Sequence, residues 1–107
     1  MKRYGQIIGV KAEALEEYKK YHAAVWPGVL AKITECNIRN YSIFYKDGLL
    51  FAYFEYIGDD FVADMAKMAA DPTTQEWWKI MDPMQQPVEN RKSGEWWANM
   101  EEVFHLD

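Results

Sequence analysis

The sequence predicts an α+β fold of the ferredoxin-like βαββαβ type, with one antiparallel sheet and helices on one of its faces. Three observations predict it. The chain has 107 residues, which is about the length of one domain. Segments with strand and helix patterns follow one another in the order β, α, α, β, β, α, α, β, and each helical pair forms one layer. Asp47-Gly48 separates the two central strands as a tight hairpin turn. We therefore expect residues 1–107 to form a single domain.

The first strand and the first helix follow from composition and periodicity. Residues 3–10 are rich in Ile and Val, which favour strands. Residues 12–22 predict a helix, because Leu15, Tyr18 and His22 fall at positions i, i+3 and i+7 while Glu and Lys residues between them face water. The apolar face of this helix is expected to lie on the sheet.

Proline marks the start of the next helix, and a hairpin follows it. The residue before Pro27 is biased away from helical geometry, so a second helix is expected at residues 27–35. Residues 38–45 and 49–56 predict the two strands of the hairpin. Capping and helix-breaking residues divide the second half of the chain. One helix is expected from Asp59 or Asp60 to about residue 70, and another from Asp71 to before Pro83. A polar loop at residues 83–94 and a last strand at residues 100–106 are expected to follow.

The strand at residues 49–56 lacks the alternation of apolar and polar residues that is typical of a strand with one solvent-exposed face. Both of its faces carry apolar side chains: Leu49, Phe51 and Tyr53 on one, and Leu50, Ala52, Phe54 and Tyr56 on the other. Helices cover one face, and the chain is too short to cover the second. We therefore predict a homodimer stacked sheet to sheet, of the dimeric α+β barrel type. A half-exposed pocket face in a monomer is the alternative.

Composition argues against several partners. The net charge is −5 and the pI is about 5.0, whereas nucleic-acid phosphates require a basic face. The single cysteine, Cys36, excludes an internal disulfide framework and a multi-cysteine metal site. No run approaches the ~18 uncharged apolar residues of a membrane helix, and residues 1–6 lack the features of a signal peptide. We therefore expect a cytoplasmic protein without a membrane partner.

Cofactor motifs are lacking as well. Gly5 and Gly9 fall inside a strand, not in the strand–helix turn that binds phosphates. No pair of His or Cys residues has the spacing of metal ligands. We therefore expect neither a metal nor an organic cofactor.

His22 is the candidate catalytic residue. It follows Tyr18 by four residues, so the two side chains share one helix face, and residues 25–27 suggest an apolar, partly enclosed site. An imidazole with a pKa of about 6.5 donates and accepts protons near neutral pH. A histidine at a helix C-terminus that interacts with the helix dipole is the alternative. The other histidine, His105, is expected at the surface or an interface.

Tryptophan is the second informative residue type. The chain has five Trp, five Phe and seven Tyr residues, more rings than a small domain is expected to bury on all sides. Trp77 and Trp78 are adjacent on a predicted helix, so one can pack into the core while the other lines a rim. A flat indole matches the apolar face of a sugar ring. Packing alone is the alternative. Trp26, Trp96 and Trp97 are further candidates for the same pocket.

Five segments in chain order resemble the L-rhamnose mutarotase family. They are Glu16-Glu17-Tyr18-Lys19-Lys20-Tyr21-His22 followed by Trp26-Pro27, Asn40-Tyr41-Ser42-Ile43-Phe44, Leu49-Leu50-Phe51-Ala52, Trp77-Trp78-Lys79, and Glu101-Glu102-Val103-Phe104-His105-Leu106. Their order and spacing are similar to those of the family over nearly the whole chain.

The resemblance implies a cofactor-free isomerase that interconverts the α and β anomers of a 6-deoxy aldose on a dimeric ferredoxin-like fold. It implies that His22 donates a proton and that Tyr18, Tyr41, Trp77 and Trp78 bind the monosaccharide. Ring opening needs one proton delivered to the ring oxygen and one removed from the anomeric hydroxyl. The base stays open between Tyr18, Tyr41, a bound water and a carboxylate.

The chain departs from the family pattern after Pro83, where its loop is longer and Gly94-Glu95-Trp96-Trp97 has no counterpart. The departure leaves L-rhamnose, L-fucose and other deoxy or pentose sugars open as substrates. Two further functions stay open, because fold does not decide function. One is a cofactor-independent monooxygenase or haem-degrading enzyme of the dimeric α+β barrel type. The other is a sugar-binding module without catalysis.

Overall fold

The elements of the structure follow the predicted βαββαβ order. The computed structural model describes all residues, Met1–Asp107. In chain order the elements are β1 (Lys2–Val10), α1 (Leu15–Ala23), α2 (Pro27–Glu35), β2 (Ile38–Lys46), β3 (Leu49–Tyr56), α3 (Phe61–Ala69), α4 (Pro72–Met81), β4 (Gln85–Gln86) and β5 (Ala98–Met100). The antiparallel sheet has the order β2-β3-β1-β4, and β5 also pairs with β1. The predicted α+β fold is thus confirmed.

The predicted starts of the last three helices are confirmed, whereas α1 begins at Leu15 and not at residue 12, because residues 12–14 form a 3₁₀ turn. Pro27 occupies the first turn of α2, where its missing N–H costs no hydrogen bond. The side chain of Asp60 accepts a hydrogen bond from the backbone N–H of Ala63 at 3.1 Å, and Asp71 accepts one from Thr74 at 2.9 Å. These bonds satisfy amide groups that a helix N-terminus leaves unpaired.

The hairpin between β2 and β3 turns at the predicted residues. Asp47 and Gly48 have φ values of 50° and 83°. Positive φ at both central positions is typical of the type I′ turn, whose twist matches that of the two strands. This hairpin sets the register that pairs Phe44 with Phe51 and Tyr45 with Leu50.

The predicted last strand at residues 100–106 is wrong. β5 ends at Met100, and residues 101–107 form no regular structure. Val103 and Phe104 are β-prone, but they are 85% and 78% exposed because this chain offers them no apolar surface. The edge of β1 that this strand was expected to occupy is paired instead with β4 and β5.

The loop predicted at residues 83–94 contains a strand. β4 pairs with Gly9 and Val10, whereas β5 pairs with residues 5–7, so two short strands share the fourth position of the sheet. The chain between them, residues 87–97, leaves the sheet and returns. Two consecutive paired residues carry too little pattern to be recognised in a sequence.

The helices cover the sheet face that carries Leu50, Ala52 and Phe54. The main core cluster joins both layers and consists of Ile8, Val10, Tyr18, Val29, Leu50, Trp77, Met81 and Met84. Its members come from β1, β3, α1, α2 and α4, with Met84 just after α4, so this cluster fixes the helices that surround the cavity described below. None of the helices combines the length and the apolar composition that a membrane span requires.

The opposite face of the sheet is less covered. Phe44, Phe51 and Ile7 occupy directly paired positions on β2, β3 and β1, and so form an apolar row across this face. Phe44 is 66% exposed, whereas Phe51 and Ile7 are partly buried.

We predict that Ile8→Ala lowers the free energy of unfolding by about 2–5 kcal/mol, because Ile8 is 0% exposed and its truncation leaves a cavity between sheet and helices. Urea unfolding followed by circular dichroism measures this. Val62→Ala, at a position that is 79% exposed, is the control and should change stability by less than about 0.5 kcal/mol. Equal stabilities of the two variants would contradict the assigned core.

Candidate active site

One cavity of about 790 Å³ lies between α1, α2, α4 and β2 and is closed at one side by the chain after β4. This volume is in the range of small-molecule sites. Most of its lining is apolar. The cavity collects seven of the eight residues that the sequence indicated: Tyr18, His22, Tyr41, Trp77, Trp78, Trp96 and Trp97.

The one-turn spacing of Tyr18 and His22 stacks their rings on α1. The ring centroids are 4.2 Å apart and the planes are inclined by 24°. Nδ1 of His22 lies 2.8 Å from the backbone carbonyl oxygen of Tyr18. A carbonyl oxygen only accepts hydrogen bonds, so Nδ1 carries the hydrogen and donates it. In the neutral ring, Nε2 is then the nitrogen with a free lone pair.

The environment of His22 favours this neutral form. Burial lowers the pKa of His22 below its ordinary 6.5, although the hydrogen bond to the Tyr18 carbonyl opposes the shift. No buried side-chain nitrogen or oxygen lacks a hydrogen-bond partner. Since Nε2 has no protein partner and the side chain lines the cavity, Nε2 is accessible there. His22 can therefore accept a proton at neutral pH.

A β-bulge brings Tyr41 to the inner face of the sheet. The register of β2 against β3 shifts between Arg39 and Ser42, and Asn40 within the shift has a φ of 51°. The extra residue reverses the alternation of side chains, and asparagine tolerates the left-handed backbone better than most residues. Tyr41 consequently packs against Phe54, at 5.5 Å between ring centroids, and lines the cavity.

Both tyrosines keep their protons. Desolvation raises the pKa of Tyr41 to about 12, with a smaller contribution from Tyr18. The Tyr41 side chain lines the cavity, although 42% of its surface is exposed. Burial also raises the pKa of Tyr18, against a hydrogen bond from Gln85. Both hydroxyls are therefore hydrogen-bond donors at neutral pH, not bases.

The adjacent tryptophans divide as their helical geometry predicts. Trp77 is 6% exposed and packs edge-to-face with the His22 ring, at 5.5 Å between ring centroids, whereas Trp78 is 38% exposed. Both line the cavity, Trp77 from the core and Trp78 from the rim. Trp26 does not line the cavity, which corrects the expectation that it belongs to the pocket. Trp26 lies just before α2 and packs edge-to-face against the indole of Trp77, with 5.2 Å between the ring centroids.

Sequence reasoning missed several polar residues of the cavity, and three of them bear on its chemistry. Gln85 lies on β4 and is 6% exposed. Asp82 is the one carboxylate of the lining, and burial raises its pKa. Arg39 also lines the cavity, and its Nη1 is held by the carbonyl oxygens of Thr34 and Ile38, both at 2.9 Å. Gln85 and Asp82 follow the last helix in a segment read as a helix end and a polar loop, so no pattern pointed to them.

Other parts of the surface offer less chemistry. His105 does not line the cavity; its Nε2 contacts Asp107 at 2.7 Å in the exposed C-terminal segment. A more open cleft of about 480 Å³ lies beside Gly48 and Pro87 and has Glu89 as its one ionisable side chain. No group of three or more His, Cys, Asp and Glu side chains converges as a metal site would require.

Comparison with known proteins identifies the family of the chain. The family model for L-rhamnose mutarotase matches residues 3–106. The chain belongs to the L-rhamnose mutarotase family. It is 35% identical over 109 residues to the L-rhamnose mutarotase of Lactiplantibacillus plantarum and 34% identical over 109 residues to that of Bacillus subtilis, and each comparison covers both chains completely. Membership of this family confirms the predicted resemblance and indicates an isomerase.

Two solved structures share the fold. The L-rhamnose mutarotase of Formosa agariphila superposes with a TM-score of 0.77 at 22% identity, over all of both chains. Tetracenomycin F2 cyclase of Streptomyces glaucescens superposes with a TM-score of 0.74 at 15% identity, over 100% of this chain and 98% of the cyclase chain. A polyketide cyclase on this architecture illustrates that the fold serves several chemistries.

We predict that His22 titrates below pH 6.5 and that its neutral form carries the hydrogen on Nδ1. Long-range ¹H–¹⁵N NMR of the imidazole measures both. Because the unfolded chain binds this proton more readily, the contribution of His22 to stability is complete above pH 6.5 and declines as the pH falls below it. A midpoint at or above 6.5, or an Nε2–H tautomer, would contradict the assignment.

Proposed function

We propose that the chain interconverts the α and β anomers of L-rhamnose, with His22 and Tyr18 exchanging protons with the sugar. Family membership supports the reaction, and one observation supports the assignment of roles. This is the hydrogen bond between Nδ1 of His22 and the Tyr18 carbonyl oxygen, which leaves Nε2 as a base that faces the cavity.

Ring opening begins at the anomeric hydroxyl. Nε2 of neutral His22 takes the proton of this hydroxyl, and the electrons of its O–H bond form the C1=O double bond. The bond between C1 and the ring oxygen breaks, and its electron pair stays on the ring oxygen. That oxygen takes a proton from the hydroxyl of Tyr18. Acid and base in concert typically contribute ~10²–10⁴-fold each.

Ring closure reverses both transfers on the opposite face of the aldehyde. After rotation about C1–C2, the hydroxyl of the open chain attacks C1 and returns its proton to Tyr18. The imidazolium of His22 then delivers its Nε2 proton to the carbonyl oxygen, which becomes the new anomeric hydroxyl. In this half-reaction His22 is the proton donor, the role that the family resemblance implies.

The remaining cavity residues suit a deoxy sugar. The indole N–H groups of Trp77 and Trp97 have no hydrogen-bond acceptor in the protein. Since no buried polar atom lacks a partner, both nitrogens are accessible, and each is free to donate to a sugar hydroxyl. Tyr41 offers a third donor at the bulge of β2. Apolar side chains such as Met81 supply a surface for the 6-methyl group.

We expect His22→Asn to slow anomer exchange by ~10²–10⁴-fold, because the amide of Asn can still donate to the Tyr18 carbonyl but offers no imidazole to accept the proton. Saturation-transfer NMR on L-rhamnose measures the exchange rate against the buffer blank. The same measurement on L-fucose, D-glucose and D-galactose tests the specificity for the sugar.

His105→Ala is the matched control and should retain the wild-type rate, since His105 lies outside the cavity. Wild-type exchange in His22→Asn would remove His22 from the mechanism. Binding of L-rhamnose by the wild-type chain without faster exchange would favour the sugar-binding module. A higher rate on L-fucose would make that sugar the substrate.

We also propose that the chain is a homodimer joined through the open face of the sheet. The row of Ile7, Phe44 and Phe51 supports this, because the helices cover the opposite face and leave these apolar side chains partly or largely exposed. A cytoplasmic location remains a prediction from composition.

We predict that Phe44→Glu converts the dimer to a monomer, since the substitution places a charge on the proposed interface. Folding should be retained, because Phe44 is 66% exposed in the single chain. Sedimentation equilibrium gives the mass, and Val62→Glu on α3 serves as the control at a position that is 79% exposed. A wild-type chain that sediments as a monomer at all concentrations would refute the dimer.

A further inference from the structure

Gln85 is a buried amide that links two aromatic residues of the cavity. Its Oε1 accepts a hydrogen bond from Nε1–H of Trp96 at 2.8 Å. Its Nε2 donates to the hydroxyl oxygen of Tyr18 at 3.1 Å. Gln85 lies on β4, Trp96 lies just before β5, and Tyr18 lies on α1. The split edge of the sheet is therefore connected directly to the residue that the mechanism uses as an acid.

Trp96 fixes the orientation of this amide. An indole N–H donates hydrogen bonds and never accepts them, so the oxygen of Gln85 must face Trp96. The NH₂ group of Gln85 must then face Tyr18. The hydroxyl oxygen of Tyr18 accepts this bond, so its own hydrogen cannot lie along it.

The hydrogen of the Tyr18 hydroxyl is left for the cavity. The Tyr18 hydroxyl has no protein acceptor, and the side chain lines the cavity beside His22. A substrate oxygen is the partner that this O–H lacks. An amide at 6% exposure is costly to bury unless both of its ends are bonded, and here both are.

We propose that Gln85, oriented by Trp96, is a positioning residue that aims the O–H of Tyr18 at the ring oxygen of the bound sugar. The proposal rests on the proposed mutarotase function. In ring opening, Gln85 also stabilises the negative charge that grows on the Tyr18 oxygen as its proton leaves, because it donates to that oxygen. Gln85 itself does not touch the reacting atoms.

Gln85→Glu and Gln85→Leu separate this role from a packing role. A carboxylate keeps the shape of the side chain and the bond from Trp96, but it offers Tyr18 an acceptor in place of a donor. The O–H of Tyr18 would then turn away from the sugar. Leucine removes both bonds and leaves the Tyr18 hydroxyl free to rotate toward the sugar. We expect kcat to fall roughly tenfold or more in Gln85→Glu and less in Gln85→Leu.

A packing role predicts the opposite ranking, because Gln85→Leu loses more contacts than Gln85→Glu. The exchange rates are measured at pH 8, well above the ordinary pKa of a glutamate, and KM is expected to change less than kcat. At lower pH the introduced carboxyl gains a proton and can donate again. The rate of Gln85→Glu relative to wild type at the same pH should therefore recover.

Combination with Tyr18→Phe gives the second readout. If Gln85 acts through the Tyr18 hydroxyl, Gln85→Glu has no further effect in the Tyr18→Phe background. Should Gln85→Glu fail to fold, as thermal melting would reveal, Trp96→Phe replaces it. In Trp96→Phe the amide of Gln85 is free to rotate. The substitution should therefore slow anomer exchange when Tyr18 is present and have no further effect in the Tyr18→Phe background.

Three results would overturn the proposal: wild-type kcat in Gln85→Glu, a larger loss in Gln85→Leu than in Gln85→Glu, or an undiminished effect in the Tyr18→Phe background. Absence of exchange by the wild-type chain on every sugar would instead refute the proposed function. The two failures are therefore distinguishable.

Discussion

The proposed chemistry depends on a single hydrogen bond, from Nδ1–H of His22 to the carbonyl oxygen of Tyr18. This bond fixes the tautomer of the imidazole, and burial keeps the ring neutral by lowering its pKa. The bond exists because the two residues are one helical turn apart on α1. The same spacing stacks the rings, so a base and a phenol are presented to the cavity by one rigid element. A site on a helix is held more rigidly than one on loops.

The rest of the site is assembled from elements that are distant in sequence. α4 contributes both tryptophans, the bulge in β2 contributes Tyr41, and the chain after β4 contributes Gln85 and Trp96. The sheet brings these parts together because β1 pairs with β3 on one side and with both short edge strands on the other. Splitting the edge into two strands allows residues 87–97 to leave the sheet and return beside the cavity.

The sequence carried strong signals for the regular elements and weak ones for the exceptions. Helical periodicity and capping residues such as Asp71 are local, so α1 to α4 were predictable from short windows. The end of the sheet was not, because the β-prone residues around Val103 have no partner strand in this chain, and β1 pairs instead with Ala98–Met100. Tertiary pairing overrides local propensity in such cases.

The site was predictable in part for the same reason. The spacing of Tyr18 and His22, and of the two adjacent tryptophans, is local and could be read directly. Trp26 was misjudged, because proximity in sequence to His22 does not reveal that Trp26 packs against Trp77 and does not line the cavity. Gln85 was missed, because its two partners lie 67 residues before it and 11 residues after it. Resemblance to a family supplied the reaction, which spacing alone left open.

A crystal structure of the chain with bound L-rhamnose tests the central assignment most directly. We expect the anomeric oxygen within about 2.6–3.2 Å of Nε2 of His22 and the ring oxygen within the same range of the Tyr18 hydroxyl. A sugar bound with its anomeric carbon away from both residues, or outside this cavity, would contradict it.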